Sequence, residues 1–489
     1  MLYPSYAAVR EFLHDYDTVP VCCTKLMDSC TPVGIFEALK DLSRDCFLLE
    51  SVENSEQWGR YSFIGVNPKA ELSIRDGEAV FTRDGGSARE KVRDPAGYFS
   101  RLLSRRKAPR FPGFPRFTGG LAGYFGYDML RYLEPKLGRP PEDDLKMPDC
   151  ELRLYDEVVA FDHLNGKVSA IFNISREPDP EKQYADCEKK AEDLFAAILR
   201  GAPKKSGKKP LGELRVTSDA TREQYSEMVE KAKRHIVEGD IFQVVLSRRF
   251  EVENPPEPFD VYRALRAANP SPYLYYFQSK EYQIAGASPE MLVNVTGGVV
   301  TNKPIAGTSR RGKDAAEDER LEKELLADGK ERAEHTMLVD LGRNDVGRVC
   351  GFGTVEVKDF MHVERCSKVM HLVTEVRGEL RDDKTPADAL LSVLPAGTLS
   401  GAPKIRAMQI IDELEGKKRG VYGGAVGYLG FDGNIDTCIA IRTALFRNGK
   451  AYVQAGAGIV ADSVPEKEYE ETKNKALAVL SAIKEASEL

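Results

Sequence analysis

Short strand-like segments follow one another along this chain through hairpin turns, without the regular strand–helix–strand spacing of a parallel sheet. FQVVLSRRFEV (242–252), YLYYFQ (273–278), YQIAGAS (282–288), MLVNVTGGVVTN (291–302) and TALFRNGKAYVQAGAGIV (443–460) are rich in β-branched and aromatic residues. In AELSIRDGEAVFTRDGG (70–86), Asp76-Gly77 and Asp84-Gly85 mark two-residue turns. This pattern predicts an α+β fold, large and two-lobed, with antiparallel sheets and outer helices, and argues against a doubly wound sheet.

The clearest seam is GAPKKSGKKPLGE (201–213), which has no apolar periodicity. It divides the chain into an N-terminal region (1–200) closed by the amphipathic helix EKQYADCEKKAEDLFAAILR, a linker (201–220), and a second region (221–489). With 42% hydrophobic and 30% charged residues and a net charge of −7, the composition is that of an ordinary globular protein, without general affinity for nucleic acid or an anionic membrane. No apolar run is long enough to span a bilayer and the first residues do not resemble a signal, so a cytoplasmic location is expected. The nine cysteines form no C-x-x-C pair and no zinc-like cluster, and are expected as reduced thiols.

One segment conflicts with simple burial. KERAEHTMLVDLG (330–342) reads as a helix stopped by Gly342, and at about 100° per residue Glu331 and Glu334 share a face with Leu338 and Leu341. Two carboxylates on a buried face need a cation. The last segment, SVPEKEYEETKNKALAVLSAIKEASEL, reads as a helix opened by a Ser463/Glu466 capping box. Its apolar stripe is Tyr469, Ala476, Leu480 and Ile483; Glu468, Glu471 and Lys475 lie on the border and Glu470 points to solvent. Two E-x-x-E pairs can surround one hard cation such as Mg2+. The competing reading is salt bridges to Arg332, Arg343 and Arg348.

PIAGTSRRG (304–312) and PAGTLSGAPK (395–404) read as turns whose N–H groups and threonines can hold an anion. QAGAGIV (454–460) places two glycines on a strand where a ligand can approach, and GGLAGYFGYD (119–128) reads as close chain packing rather than a dinucleotide loop. His371 lies in the β-rich run CSKVMHLVTEV, where a lone histidine is usually a core residue.

In this order, KPIAGTSRRG, AEHTMLVDLGRNDVGRV, VMHLVTEVRG, LPAGTLSGAPK, YGGAVGY, IRTALF, QAGAGIVADS and the E-x-x-E helix resemble the chorismate-utilising enzymes, most closely their anthranilate synthase component I branch. LLES (48–51) and GGLAGYFGYD extend the resemblance toward the N-terminus. It implies an anthranilate-synthase-type fold and the conversion of chorismate and ammonia to anthranilate and pyruvate, the first step of tryptophan biosynthesis. By motif position, Glu334 and Glu471, with Glu331 and Glu468 directly or through water, would hold Mg2+ against the ring carboxylate of chorismate, and Lys475 would meet the same carboxylate. Arg442, Tyr422 and the backbone of Gly456 and Gly458 would take the enolpyruvyl carboxylate. Glu290 is the implied acid for the departing hydroxyl and His371 the group serving pyruvate elimination, while Thr308 and Thr398 hold the ring hydroxyl and carboxylates.

Within the family, water-adding members resemble one another in a lysine base where this chain has Gln243, and aminodeoxychorismate synthases in a nucleophilic lysine where it has Ala306. Gln243 therefore joins the expected catalytic set, and ammonia is left as the direct nucleophile. No cysteine sits in a glutamine-amidotransferase string and the sequence closes at Leu489, so a separate amidotransferase subunit is implied, in a heteromer of two such pairs. LLES and NPSPY also resemble a tryptophan-binding inhibitory site. Glu50, Ser51, Asn269, Pro270, Tyr273 and Leu274 would form it, with Leu274 replacing a common methionine, and Pro32, Val426 and Tyr428 would line the indole pocket. Val426 and Tyr428 are expected on one strand face with Tyr422. The alternatives are an aminodeoxychorismate or aminodeoxyisochorismate synthase component I, or a tryptophan-sensing subunit without catalysis.

Overall fold

The computed structural model describes residues 1–51, 59–201, 214–366 and 369–488. Two twelve-stranded sheets, antiparallel throughout, face each other. The first runs Thr18–Leu26, Lys167–Ser175, Glu157–Asp162, Tyr61–Gly65, Cys46–Glu50, Tyr273–Gln278, Tyr282–Ser288, Thr443–Arg447, Lys450–Ile459, Gln243–Glu253 and Arg215–Ser218, with Gly401–Ala402 added to Gln243–Glu253. The centre of the second is Val369–Glu379, Val299–Asn302, Met291–Thr296, Ile435–Ile439, Ala425–Gly430 and Gly120–Phe125. Phe47, Tyr275 and Ile284 of the first sheet meet Tyr124, Val426 and Tyr428 of the second in a core between them. Helices cover the outer faces. Pro32–Leu39, Pro180–Arg200, Pro258–Ala268 and Pro465–Glu485 pack on the first sheet, and Pro95–Ser104, Gly329–Gly347 and Pro386–Val393 on the second. The expected α+β architecture is therefore present, and among the described residues no helix is long and apolar enough to cross a membrane.

Local chemistry explains the hairpins. Asp76 and Gly77, Asp84 and Gly85, and Asn448 and Gly449 all carry positive φ (48° and 82°, 50° and 79°, 52° and 74°), as a turn matching the right-handed twist of its strands requires. Both sheets draw strands from each side of the seam: Cys46–Glu50 pairs with Tyr273–Gln278, and Gly120–Phe125 with Ala425–Gly430. Residues 202–213 of the expected linker lie outside the described residues, and its end is not linker, because Arg215–Ser218 pairs with Gln243–Glu253.

Four local expectations are corrected. Gly342 does not stop its helix, which continues to Gly347; a Cβ at Gly342 would stand 2.5 Å from Asn302 Oδ1, so the glycine serves close approach of the helix to strand Val299–Asn302. The Ser463/Glu466 capping box is not formed. Val464 is the N-cap without a side-chain bond, and Ser463 Oγ accepts the Val460 N–H at 3.1 Å. PIAGTSRRG is mainly a strand, Ile305–Arg310, with a bulge at Gly307 (φ 59°). Tyr422 precedes strand Ala425–Gly430 in a turn, so it does not share that strand's face with Val426 and Tyr428.

The glycine account predicts opposite outcomes at two positions of one helix. Gly342→Ala overpacks against Asn302 and is expected to cost about 1–3 kcal/mol. Gly347→Ala, with nothing within 4 Å of the new methyl, is expected to be neutral or stabilising by up to about 1 kcal/mol. Denaturant midpoints of the two variants check this; equal midpoints would remove the close-approach explanation.

Candidate active site

A cavity of about 860 Å³ lies between the sheets. All the expected site residues line it except Pro32, which opens helix Pro32–Leu39 and is buried there instead. The substrate-end and effector-end residues share this one continuous space.

At one end Glu290 sits on the turn between Tyr282–Ser288 and Met291–Thr296. Burial pushes its carboxyl up to about 7, opposed by the Thr398 hydroxyl, which donates to Oε1 at 3.0 Å, and by the charge of Lys475. His371 lies on Val369–Glu379, opposite Thr308 across the bulge. Its Nδ1 is 2.9 Å from the Gly307 carbonyl and 3.2 Å from Thr308 Oγ1. A carbonyl only accepts, so Nδ1 carries the proton and Nε2 is left as an acceptor. Burial also lowers the pKa of His371, which favours the neutral ring.

Arg442 is the cation of this end. Among the described residues no carboxylate pairs with it; burial lowers its pKa, and its backbone is held at φ 52°. A desolvated guanidinium without an acid partner is an anion receptor. Tyr422 and Gly456 stand beside it: a Cβ at Gly456 would lie 2.9 Å from the Tyr422 hydroxyl and 2.9 Å from the Leu246 carbonyl, so only glycine leaves this wall open. Gln243 Oε1 is buried without a hydrogen-bond partner among the described residues, and Gly458 makes room for its amide, where a Cβ would be 2.6 Å from Nε2. The cavity wall thus contains a bare acceptor as well as a bare cation.

Helices Gly329–Gly347 and Pro465–Glu485 bring their four glutamates to the same wall. The salt-bridge reading does not hold: Arg343 pairs with Asp340 at 3.1 Å, Arg332 donates to the Leu326 carbonyl, and among the described residues no arginine pairs with Glu331 or Glu334. Glu331 has its pKa raised by burial, then by the charges of Glu334, Asp328 and Glu471. Glu468 is raised by burial and by Glu471, against a hydrogen bond from Ser463. Among the described residues, of the four only Glu471 has a cationic partner, Lys475 at 2.7 Å, whose Nζ also donates to the Gly456 carbonyl at 3.0 Å. No three of these carboxylates approach within 4.8 Å of one another. This excess of hard oxygen donors fits a divalent cation that keeps part of its water shell. Glu470 does not point freely to solvent; it pairs with Arg222.

At the other end, Leu274 pairs with Glu50 across the two strands, which brings LLES and NPSPY together. Glu50 accepts from Tyr262 and, at 2.9 Å, from Arg266. Ser51 Oγ is buried without a partner among the described residues. Asn269 Nδ2 lies 3.3 Å from Ser271 Oγ, and Pro270 follows on the wall. Val426 and Tyr428 share one face of their strand, and Tyr428 packs on Phe117 at 4.4 Å. Sequence reading missed Asp436, whose carboxyl is pushed up to about 6 by burial and accepts from the Tyr273 hydroxyl at 3.0 Å. It also missed the Lys303–Glu364 pair (2.6 Å) at the substrate end, where Glu364 lies opposite His371 across the strands. Both depend on strand register, for which GNIDTCIA and KPIAG carry no local signal.

Comparison with known proteins agrees with this geometry. A family profile described as chorismate binding enzyme matches residues 44–481. The anthranilate synthase component 1 of Acetivibrio thermocellus is 52% identical, with all of both chains covered, and that of Pseudomonas aeruginosa is 47% identical over 96% of each. The crystal structure of anthranilate synthase component I from Streptococcus pneumoniae superposes with a TM-score of 0.77 at 41% identity, covering 88% of this chain and 94% of that one. The menaquinone-specific isochorismate synthase of Escherichia coli, at 20% identity and a TM-score of 0.69 over 98% and 99%, shares the fold. The paired helices of glutamates, the desolvated guanidinium of Arg442 and the buried acid Glu290 thus stand in a chain that belongs to the chorismate-binding enzymes, in the anthranilate synthase component I family.

Proposed function

We propose that the cavity converts chorismate and ammonia to anthranilate, pyruvate and water. One observation carries the assignment of roles: Glu290 is held toward its acid form, while burial lowers the pKa of His371, whose Nδ1 is engaged by the Gly307 carbonyl. Two groups pushed apart in this way suit opposite proton transfers at one pH. Ammonia adds at ring C2, both ring double bonds shift (to C1=C6 and C4=C5), the added ammonium gives up a proton, and the C4 hydroxyl leaves as water on the proton of Glu290. Removal of the C2 proton, assigned to His371, then forms the aromatic ring as the C3–O bond breaks and the departing enolpyruvate takes up a proton to become pyruvate.

Arg442 and Tyr422 bind the enolpyruvyl carboxylate, with the backbone of Gly456 and Gly458 against it. Thr308 and Thr398 orient the ring, and Gln243 Oε1 is a ready acceptor for an ammonia N–H. Glu334 and Glu471, assisted by Glu331 and Glu468, would hold Mg2+, which when bound neutralises the ring carboxylate beside Lys475. Component I of this enzyme implies a partner amidotransferase, which would deliver ammonia from glutamine, in a heteromer of two such pairs. Eight of the nine cysteines, Cys22 through Cys350 and Cys438, are free thiols, in keeping with a cytoplasmic setting. Tryptophan would bind at the far end, between Glu50, Ser51, Asn269, Pro270, Tyr273, Leu274, Val426 and Tyr428. Because that end is continuous with the substrate end, occupation of one opposes occupation of the other, and chorismate weakens tryptophan binding by the same factor that tryptophan weakens chorismate binding.

Purified protein given chorismate, Mg2+ and ammonium is expected to release anthranilate, detected by fluorescence and mass; an aminodeoxychorismate product would overturn the reaction assigned. Glu290→Gln should lower kcat by about 10²–10⁴-fold with Mn2+ binding intact. In the unmodified enzyme, with free ammonia held constant, kcat/KM should fall as pH rises through about 7, since Glu290 acts in its protonated form; a flat profile there would remove it as the acid. Ser51→Phe should abolish inhibition by tryptophan while sparing turnover, and persistent inhibition would place the effector elsewhere.

A further inference from the structure

Among the buried cations that the mechanism does not use, one stands apart by its partners. Arg248, on strand Gln243–Glu253, is 1% exposed, and among the described residues no carboxylate pairs with it. Its donors go to neutral acceptors: Nε to Thr472 Oγ1 at 2.9 Å, Nη2 to the Tyr469 carbonyl at 3.1 Å, Nη1 to Ser218 Oγ at 3.4 Å. The guanidinium lies 3.7 Å from the Tyr469 ring centroid, with Phe250 at 5.0 Å and Tyr225 at 5.5 Å. A charge buried without a counter-ion is costly, and a methionine or leucine would fill this space at lower cost if packing were its only task.

What Arg248 grips is one turn of helix Pro465–Glu485. Tyr469 follows Glu468 and Thr472 follows Glu471, so its two bonds to this helix end beside the two glutamates of the cavity wall. Thr472 Oγ1 also donates to the Tyr469 carbonyl at 2.8 Å, which closes a ring of bonds within the turn. On the outer side Arg222 lies 4.9 Å from the Tyr469 ring centroid and pairs with Glu470. Tyr469 thus contacts two guanidinium groups, and one turn later Lys475 ties the helix to Gly456. Apolar packing tolerates small rotations of a helix about its axis, whereas directional bonds to a carbonyl and a hydroxyl do not. Each residue of slip would turn Glu468 and Glu471 by about 100°.

We propose that Arg248 is a positioning residue for the divalent-cation site: it fixes the rotation of helix Pro465–Glu485 so that Glu468 and Glu471 face Glu331 and Glu334. This rests on the reading of the four glutamates as a cation site. Groups that orient ligating side chains typically set metal affinity by about 10–100-fold.

The test is Mn2+ binding by the full chain, followed by electron paramagnetic resonance with chorismate present and no ammonia source, alongside thermal unfolding without metal. Arg248→Met should weaken Mn2+ binding about tenfold or more, whereas Arg248→Gln, which keeps donors for Thr472 and the Tyr469 carbonyl, should recover most of it. Thr472→Val, which removes the acceptor but keeps the packing, should weaken binding several-fold and provides the decisive variant if Arg248→Met does not fold. Unchanged Mn2+ affinity in Thr472→Val and in folded Arg248→Met, or a loss of thermal stability alone, would overturn the role of Arg248. Absence of Mn2+ binding by the unmodified chain would overturn the cation site itself, and this inference with it.

Discussion

Gly123 lies opposite Gly427 where strand Gly120–Phe125 meets Ala425–Gly430, and a side chain on either would collide with backbone about 2.1 Å away. Those collisions would be with the Glu151 and Asp436 carbonyls of the strands on either side, while the pairing of Gly120–Phe125 with Ala425–Gly430 itself joins the early part of the chain to the late part within the second sheet. The pairing of Cys46–Glu50 with Tyr273–Gln278 does the same in the first. Because side chains alternate along a strand, a slip of one residue at either join would turn Val426 and Tyr428, or Glu50 and Leu274, away from the cavity. Both ends of the cavity therefore depend on register set far from the reacting atoms.

The cavity wall itself is held by a buried charge. Arg419 pairs with Glu415 at 2.5 Å and donates to the Leu399 carbonyl at 2.6 Å and the Val245 carbonyl at 2.7 Å. It thereby ties the loop carrying Thr398 to the strand carrying Gln243. Glu415 in turn accepts from Ser247 Oγ at 2.9 Å, which accepts from Gln454 at 2.8 Å. A fully satisfied network of this kind costs less than its isolated charges suggest and permits few alternative arrangements. It is suited to holding groups that must stay within hydrogen-bond reach of one substrate.

Electrostatics divides the cavity by chemistry. The carboxylates of Glu331 and Glu468 are desolvated and each is crowded by Glu471, while Arg442 is desolvated without an acid partner among the described residues. Opposite charges left unneutralised on separate parts of one wall suit a small molecule carrying two carboxylates, one met through a cation and one directly. The far end is different: its acids, Glu50 and Asp436, already accept bonds from Tyr262, Arg266 and Tyr273, and aromatic rings dominate the rest.

Local signals carried much of this in the chain itself. Asp-Gly and Asn-Gly pairs specify tight turns, β-rich runs specify strands, and two E-x-x-E pairs on apolar-faced helices demand a cation, because each follows from chemistry within about seven residues. The ordered strings also carried the family. The helix stop at Gly342, the capping box at Ser463 and the turn at PIAGTSRRG were misread, since a close approach to Asn302, a competing bond to Val460 and pairing with Val369–Glu379 outweighed local preference. Asp436, the Lys303–Glu364 pair and the grip of Arg248 on Tyr469 and Thr472 arise only when strands far apart in sequence lie side by side. Antiparallel register and the burial of charge between packed layers are long-range quantities, and no window of sequence contains both partners.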